Sequence, residues 1–368
     1  MKVGTQRNIA LDGLRGVAAL VVVFHHLFLT NSWFADRVGR DPKLLPTSFL
    51  TSPKNLLEYT PLHIFFAGTE AVFIFFVLSG YVLLRSAERP NVTKYLTSRM
   101  IRLYVPIFGA VSIAFLLART VSRDPSKFES WWLRAHASIP SVRELAVNAF
   151  VLHGTTLLDS SLWSMKYEII FSISLIVFVI FWRFTGKVSF HKTLAMYSLS
   201  TISIVLGQVS NNDLLSYLPV FYFGVLLHQV KERLKFASLR FLIGLMITIS
   251  PWCLAGFGVA TSNAFSFVII ATGATIIVDS ARSRESALAR LLSKKIFGTL
   301  GKYSYSLYLI HAPVLVTTWY LLGQPSSRLG FFLQVFLSFV MIFAATIFLY
   351  NLAEKPSLKW IAHRRALS

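Results

Sequence analysis

Ten apolar stretches, each about 17 to 25 residues long, restrict the fold of this chain more than any other feature. A helix of that length crosses the hydrocarbon core of a bilayer, and lipid requires the backbone hydrogen bonds to be made within the segment. The sequence therefore predicts an all-α fold, a polytopic transmembrane helical bundle with about ten spans. We place the spans at residues 9–30, 62–84, 101–119, 162–182, 193–209, 213–230, 241–257, 263–280, 303–322 and 329–353.

The composition agrees with a membrane protein, because 55% of the 368 residues are hydrophobic and only 14% are charged. No linker or internal repeat divides the chain, so residues 1–368 are predicted to form a single integral-membrane domain. The first apolar stretch is long and continuous, which favours a retained first span over a cleaved signal peptide. Cys253 lies in an apolar stretch and is predicted to be a packing residue.

The net charge of +20 is distributed unevenly between the two sides of the membrane. With the N-terminus in the cytoplasm, ten spans place 24 of the 36 lysine and arginine residues in cytoplasmic segments. The positive-inside rule predicts this asymmetry, and it puts both termini in the cytoplasm. The basic excess therefore indicates topology and attraction to anionic membrane lipids, and it argues against nucleic acid as a partner.

Two long loops, residues 31–61 and 120–161, lie on the outer side in this arrangement. The second contains Trp131 and Trp132, followed by an apolar stretch over 145–158 that is short for a span and is predicted to be re-entrant or interfacial. Counting this stretch as a span gives eleven, which moves the C-terminus outside and breaks the charge pattern after residue 183. We therefore favour ten spans.

The first span carries ionisable side chains that are costly at bilayer depth: Asp12, Arg15, His25 and His26. The helix from Arg15 to His26 rotates by about 1100°, roughly 20° past three turns, and rises by about 16 Å. Arg15 and His26 therefore share one helix face, whereas His25 lies about 80° away from Arg15. Ionisable groups stay in a membrane where they pair or function, so this face is the first candidate site.

Six motifs follow one another along the chain. They begin with Leu11-Asp12-Gly13-Leu14-Arg15-Gly16, with His26 eleven residues after Arg15. The others stand in the second, third, fourth and ninth spans and after the tenth: Phe75–Tyr81, Arg99–Pro106, Ser161–Glu168, Ser304–His311 and Glu354–Pro356. Together they resemble the acyltransferase-3 family of bacterial membrane acyltransferases, whose first span carries an arginine, ten intervening residues and a histidine.

The resemblance implies an enzyme that takes an acyl group, usually acetyl, from cytoplasmic acyl-CoA and transfers it to a hydroxyl of a cell-surface glycan or glycolipid. It implies the bacterial inner membrane as location, acetyl-CoA as co-substrate and no tightly bound cofactor. Other expected partners are a lipid-linked saccharide, membrane lipids, glycan-assembly proteins and a second copy of the chain. Some members add an extra-membrane esterase-like domain, but this chain ends at Ser368 with a short basic tail, so we expect the membrane module alone.

Two positions differ from the family's pattern. Members often have an acidic residue just before the Phe-Phe pair of the second span, where this chain has Phe73 and an earlier acid, Glu70. Many members have serine where this chain has Lys166. We expect both positions to affect the choice of acceptor.

Acyl transfer to an alcohol needs a base, together with groups that hold the donor and stabilise the oxyanion. We predict His26 as the general base, because a neutral imidazole accepts a proton near pH 7. Arg15 lies nearer the cytoplasm and is predicted to clamp phosphate or polarise the thioester carbonyl, while Asp12 orients it. The structural alternatives are a packing role for His26 and a salt bridge between Asp12 and Arg15.

Charged residues of two other spans are further candidates. Arg99 and Arg102 stand three residues apart at a cytoplasmic helix entry and are predicted to bind the phosphates of CoA, with a purely topogenic role as the alternative. Glu168 is predicted to orient His26. Lys166 points to nearly the opposite side of the same helix, so each of the two must find a partner on another span.

Five residues are candidates for lining the acceptor cavity: His25, Ser79, Lys166, Tyr308 and His311. Pro313 follows His311 closely and is expected to free a backbone carbonyl there, although a packing role for His311 stays open. For Ser79 and Gly80, close helix packing is favoured over a serine nucleophile. The histidines are scattered and there is no cysteine pair, so no metal site is predicted.

Two other functions stay open on the sequence alone. A transporter or flippase for a glycolipid or a small anion would use the buried ionisable residues as a substrate path or proton relay. The lack of inverted repeats in the sequence disfavours it. A non-catalytic scaffold in glycan assembly would explain the membrane spans but not the polar groups within them. Consumption of a thioester separates the enzyme from both alternatives.

Overall fold

The computed structural model describes residues 8–35, 53–65, 67–87, 91–151, 158–184, 190–230, 236–259, 261–283 and 286–366, and every regular element in these ranges is helical. The long helices are α1 (Ile9–Leu29), α4 (Gly68–Ala87), α5 (Val92–Thr120), α8 (Trp163–Phe184), α9 (Phe190–Val209), α10 (Asp213–Gln229), α11 (Ala237–Gly256), α12 (Asn263–Arg282), α14 (Lys295–Leu322) and α15 (Arg328–Leu349). Shorter helices are α2 (Ser32–Ala35), α3 (Pro53–Tyr59), α6 (Trp131–Ala135), α7 (Val142–Ala149), α13 (Ala287–Leu292) and α16 (Lys355–Ala366). Turns of 3-10 helix lie at Pro61–Phe65, Pro125–Lys127 and Ser160–Leu162, and a π-helical turn lies at Tyr350–Glu354.

Each of the ten predicted spans overlaps one long helix. Within the described ranges, seven helices are long and apolar enough to cross a membrane: α1, α5, α8, α11, α12, α14 and α15. Helices α4 and α10 contain shorter apolar stretches, Gly68–Leu84 and Asp213–His228. The prediction of an all-α, polytopic membrane bundle is confirmed, whereas the cytoplasmic placement of both termini stays a prediction.

Two helices begin eight or nine residues earlier than the hydropathy pattern predicts. Helix α5 begins at Val92 because the side chain of Asn91 accepts a hydrogen bond of 2.8 Å from the backbone N–H of Lys94 and caps the helix. Helix α14 begins at Lys295, eight residues before the predicted span. Hydropathy detects the apolar part of a helix and not its polar first turns, so the basic residue Arg99 lies within α5 rather than before it.

The apolar stretch over 145–158 lies only partly in a helix. Helix α7 covers Val142–Ala149, about 12 Å in length, and begins with a capping box in which Ser141 and Glu144 bond each other's backbone N–H groups. Residues 152–157 lie outside the described part of the chain. A helix of this length is too short to span a membrane, which agrees with the interfacial interpretation.

The structure divides into two compact units, and each unit draws on three parts of the chain. The first unit contains Met1–Val21, Asp41–Glu88 and Val177–Ser304, and the second contains Val22–Arg40, Arg89–Ile176 and Tyr305–Ser368. Three of the five boundaries fall inside α1, α8 and α14, and the other two lie outside the described residues. A single integral domain stays a prediction.

In the first unit, helices α4 and α10 pack with their backbones in contact. A Cβ on Gly80 would meet the carbonyl oxygen of Phe221, and a Cβ on Gly224 would meet the carbonyl oxygen of Val77. Glycine permits this close approach between membrane helices. The packing role predicted for Gly80 is confirmed, and Ser79 beside it is half-buried.

The first unit also contains a buried polar cluster around Glu70. A Glu70 carboxylate oxygen lies 3.4 Å from Nε2 of His63 and accepts a hydrogen bond of 2.7 Å from the indole N–H of Trp252. The His63 ring stacks on Trp252 with centroids 4.6 Å apart. Burial of a carboxylate requires such polar partners, so the cluster explains how an acid is accommodated at the start of α4.

In the second unit, the loop between α5 and α8 is bonded to α1 and α14. The hydroxyl of Ser130 donates to the carbonyl of Leu29 at 2.6 Å, and the hydroxyl of Tyr320 donates to the carbonyl of Leu133 at 3.0 Å. Leu29 is the last residue of α1, whose final carbonyls have no partner within the helix. These bonds fix α6 against the ends of the two helices that carry His26 and His311.

Candidate active site

Two buried histidines of the second unit form a hydrogen-bonded pair. His26 lies on α1 and His311 on α14, and Nε2 of His311 is 2.9 Å from Nδ1 of His26. His26 is 8% exposed and His311 is fully buried. Their ring centroids are 4.9 Å apart. The sequence left open whether His311 contributes to the site or only packs, and the structure places it in contact with the predicted base.

The hydrogen bonds of the pair determine which ring nitrogen of His26 is available. Nδ1 of His311 lies 3.0 Å from the carbonyl oxygen of Leu307, and a carbonyl only accepts, so this nitrogen carries the proton. In a neutral His311, Nε2 is then an acceptor for the Nδ1–H of His26, which also lies 3.2 Å from the carbonyl of Val22. A neutral His26 therefore carries a lone pair on Nε2, the atom that a general base needs.

Aromatic rings enclose the imidazole of His26. Trp132 of α6 lies against it with centroids 5.4 Å apart, and His25 lies edge-on at 5.5 Å. The Trp132 indole also contacts the ring of His136, with centroids 4.7 Å apart. Trp132 and His136 are both buried. The predicted outer loop thus supplies part of the wall around His26.

A second polar group lies next to His311. The hydroxyl of Tyr308 is 2.7 Å from that of Ser164, and the Tyr308 ring lies 6.0 Å from the imidazole of His311. Just before Ser164 in the chain, a carboxylate oxygen of Asp159 accepts from the N–H and the hydroxyl of Ser161, at 3.0 and 2.7 Å. Asp159 is fully buried, and it fixes the turn from which α8 begins.

Asp159→Asn is expected to remove a pH dependence of stability. Burial raises the pKa of Asp159 to about 7, so the folded protein keeps a proton that the unfolded chain releases from about pH 4 upward. The stability that this raised pKa contributes is complete at low pH and is lost as the pH rises through about 7. Thermal unfolding in detergent should therefore show the wild type losing stability relative to Asp159→Asn between about pH 4 and pH 7. A constant difference across this range would contradict the shifted pKa.

Arg99 and Glu168, which the sequence analysis assigned to different roles, form a buried ion pair. The Arg99 guanidinium contacts the Glu168 carboxylate, and its Nε donates to the hydroxyl of Ser172 at 3.1 Å. Arg99 is 9% exposed, whereas Arg102 is exposed on the same helix. The contact gives each residue a structural role, and donor binding by Arg99 and orientation of His26 by Glu168 stay predictions.

Asp12 and Arg15 form the predicted salt bridge on the part of α1 that belongs to the first unit. Nη1 of Arg15 lies 3.5 Å from a carboxylate oxygen of Asp12, and both side chains are partly exposed. The salt bridge that the sequence offered as the structural alternative is present, and donor binding by Arg15 stays a prediction. Lys166, on α8, is half-buried.

Three residues near this site were not predicted from the sequence: Asp159, His136 and Arg123, whose guanidinium donates to the backbone carbonyl of His136. Each lies in the segment between α5 and α8, where no helical periodicity identifies a buried face. Asp159 precedes the Ser161–Glu168 motif by two residues, which is the one sequence signal that pointed toward it. Trp132 was noted only as part of a tryptophan pair in a loop.

Comparison with known proteins agrees with this architecture. The family model described as "Acyltransferase domain", that of the acyltransferase-3 family, matches residues 8–351. A curated relative, "O-acetyltransferase PaAT-1" of Phomopsis amygdali, is 40% identical over 73 residues, which are 20% of this chain and 13% of the relative. The chain thus matches only a small part of that relative's length. No solved structure matches the chain. Since the family model covers nearly the whole chain, the chain belongs to the acyltransferase-3 family.

Proposed function

We propose that this protein is an O-acyltransferase that moves an acyl group, usually acetyl, from cytoplasmic acyl-CoA to a hydroxyl of a cell-surface glycan or glycolipid. The observation that carries the proposal is the hydrogen-bonded pair of His26 and His311, which leaves Nε2 of His26 with a lone pair. A buried base of this kind is what direct transfer to an alcohol requires. We assign the protein to the bacterial inner membrane, with acetyl-CoA as co-substrate.

In the proposed reaction, Nε2 of His26 takes the proton of the acceptor hydroxyl as the oxygen attacks the thioester carbonyl. The tetrahedral intermediate then collapses, the carbon–sulfur bond breaks, and the CoA thiolate leaves with the proton from His26. His311 is a positioning residue, because its Nε2 accepts from Nδ1–H of His26 and so holds the reactive tautomer. The acyl group passes directly to the acceptor, without a covalent acyl-enzyme.

The donor side of the proposal follows from the charged residues of the sequence motifs. We assign Arg15 to the thioester carbonyl or a donor phosphate, with Asp12 orienting its guanidinium at 3.5 Å. Arg102 is exposed on α5 and is the better candidate of the two motif arginines for the CoA phosphates, since Arg99 is engaged by Glu168. Glu168 is engaged by the same ion pair, and its orientation of His26 stays a prediction.

Release of free CoA tests the proposal. Purified protein in detergent is given acetyl-CoA with and without an extract of cell-envelope glycans, and thiol release is followed together with ester formation on the glycan. We expect release that depends on the glycan. If several acyl-CoAs give neither release nor ester with folded protein, the proposal is wrong, and movement of a glycolipid across vesicles without chemistry would identify a transporter.

Replacement of His311 by phenylalanine is expected to lower kcat by about 10- to 100-fold, less than the 10²- to 10⁴-fold typical of losing a general base. Phenylalanine keeps the ring volume but cannot accept the Nδ1–H of His26, so the reactive tautomer is no longer fixed. The KM for acetyl-CoA should stay unchanged. His311→Gln, whose amide oxygen can accept, should recover part of kcat; equal losses in both variants would argue for packing alone.

A further inference from the structure

We infer that Arg123 and His136 form a subsite for a hydroxyl-rich part of the acceptor, a saccharide that presents at least two hydroxyls. The inference rests on the proposed function and names the residues that would hold the acceptor next to the base. Neither residue belongs to the sequence motifs. Both lie in the loop that the second unit bonds to α1 and α14.

His136 presents a buried hydrogen-bond acceptor. Its Nδ1 lies 2.7 Å from the carbonyl oxygen of Trp132, so this nitrogen carries the proton. Burial lowers the pKa of His136 to about 4, which keeps the ring neutral at physiological pH. Its Nε2 therefore carries a lone pair and can accept a hydrogen bond. This atom has no hydrogen-bond partner among the described residues. The residue is only 4% exposed.

Arg123 presents a hydrogen-bond donor in the same cluster. Its Nη1 donates to the backbone carbonyl of His136 at 2.8 Å, and its Nη2 donates to the hydroxyl of Thr317 at 3.1 Å. These two bonds fix the plane of the guanidinium. The N–H on Nε is buried and finds no partner among the described residues.

The chemistry of the two atoms selects the ligand. Nε2 of His136 needs a donor, and Nε–H of Arg123 needs an acceptor. A carboxylate or phosphate would satisfy only Arg123, and an ammonium group would satisfy only His136. A hydroxyl both donates and accepts, so a sugar with neighbouring hydroxyls satisfies both atoms. Buried polar groups in folded proteins almost always have hydrogen-bond partners. Nε2 of His136 and Nε–H of Arg123 have none among the described residues, so together they point to a ligand.

The subsite lies one aromatic ring away from the base. Trp132 contacts both the imidazole of His26 and that of His136, with centroid distances of 5.4 and 4.7 Å. A saccharide has several hydroxyls, so one can be held at Arg123 and His136 while another reaches Nε2 of His26. An alcohol with a single hydroxyl cannot make both contacts.

Kinetics with two kinds of acceptor test the inference. CoA release from acetyl-CoA is measured with a panel of methyl glycosides and with 1-hexanol, for the wild type and for His136→Asn, His136→Gln and Arg123→Lys. His136→Asn keeps the donor to Trp132 but lacks the Nε2 acceptor, whereas His136→Gln places an amide oxygen near that position. We expect the ratio of the glycoside KM to the 1-hexanol KM to rise about tenfold over the wild type in His136→Asn and in Arg123→Lys. The rise should be smaller in His136→Gln.

Arg134→Lys is the matched control, because Arg134 is exposed on α6 two residues before His136. Its glycoside KM should equal that of the wild type. Unchanged glycoside KM values in the variants, or transfer to 1-hexanol but to none of the glycosides, would overturn the inference and leave the acyltransferase intact. Absence of CoA release with every acceptor contradicts the proposed function instead. If His136→Asn does not fold, Arg123→Lys decides.

Discussion

His26→Asn is expected to lower kcat for CoA release by about 10²- to 10⁴-fold, the contribution typical of a general base. The asparagine amide can take the place of Nδ1 and keep the hydrogen bonds toward His311 and Val22, but it has no lone pair where Nε2 stands. His26→Ala, which removes the whole ring, should be equally inactive. The measurement is acceptor-dependent CoA release by the detergent-purified variants and the wild type.

Two controls accompany the His26 variants. His363→Ala removes an exposed histidine from α16 and should leave kcat unchanged. Size-exclusion profiles and thermal unfolding midpoints should show that His26→Asn is folded, because it retains the buried hydrogen bonds of the imidazole. Wild-type kcat in folded His26→Asn would mean that Nε2 of His26 is not the base, and the role assigned to His311 would be wrong with it.

The helices could be predicted from the sequence because hydropathy is a local property of the chain. Ten apolar stretches gave ten helices, and the two early starts, at Val92 and Lys295, come from polar first turns that hydropathy does not register. The choice of His26 was also local, since an imidazole in an apolar helix is costly wherever that helix packs. Neither inference needed a contact between distant residues.

The partners of His26 could not be predicted, because they depend on how helices pack. His311 follows it by 285 residues, and only the arrangement of α1 and α14 in the second unit brings the two rings to hydrogen-bonding distance. Trp132 and His136 come from a loop whose sequence has no periodicity to mark a buried face. The motifs indicated which segments matter, but not which side chains meet.

The pairing of Arg99 with Glu168 shows the same limit for charged residues. A carboxylate in a span needs a partner on another span, and the sequence alone pointed to His26 as the partner of Glu168. The two residues stand 69 positions apart, and the register of α5 against α8 decides the contact. An arginine that looks like a phosphate ligand from its position at a helix entry is, in the fold, the counter-ion of a buried acid.

Breaking this ion pair is expected to cost about 3 to 5 kcal/mol in free energy of unfolding, because each single variant leaves an uncompensated buried charge. The variants are Arg99→Met and Glu168→Leu, each close in volume to the residue it replaces. The double variant should lose much less than the sum of the single losses, since an apolar pair of similar volume has no buried charge to compensate. Denaturant titration in detergent micelles measures all four free energies of the cycle.

The same variants separate the structural role of Arg99 from donor binding. Arg102→Met is the matched control: it lies three residues further along α5 and is exposed, so its unfolding free energy should stay within about 0.5 kcal/mol of the wild type. If Arg102 binds the CoA phosphates, this variant raises the KM for acetyl-CoA. Two results would instead assign Arg99 to binding of acetyl-CoA: a higher KM for acetyl-CoA in Arg99→Met with no loss of stability, and additive changes in unfolding free energy in the double variant. The contact with Glu168 would then be incidental to the fold.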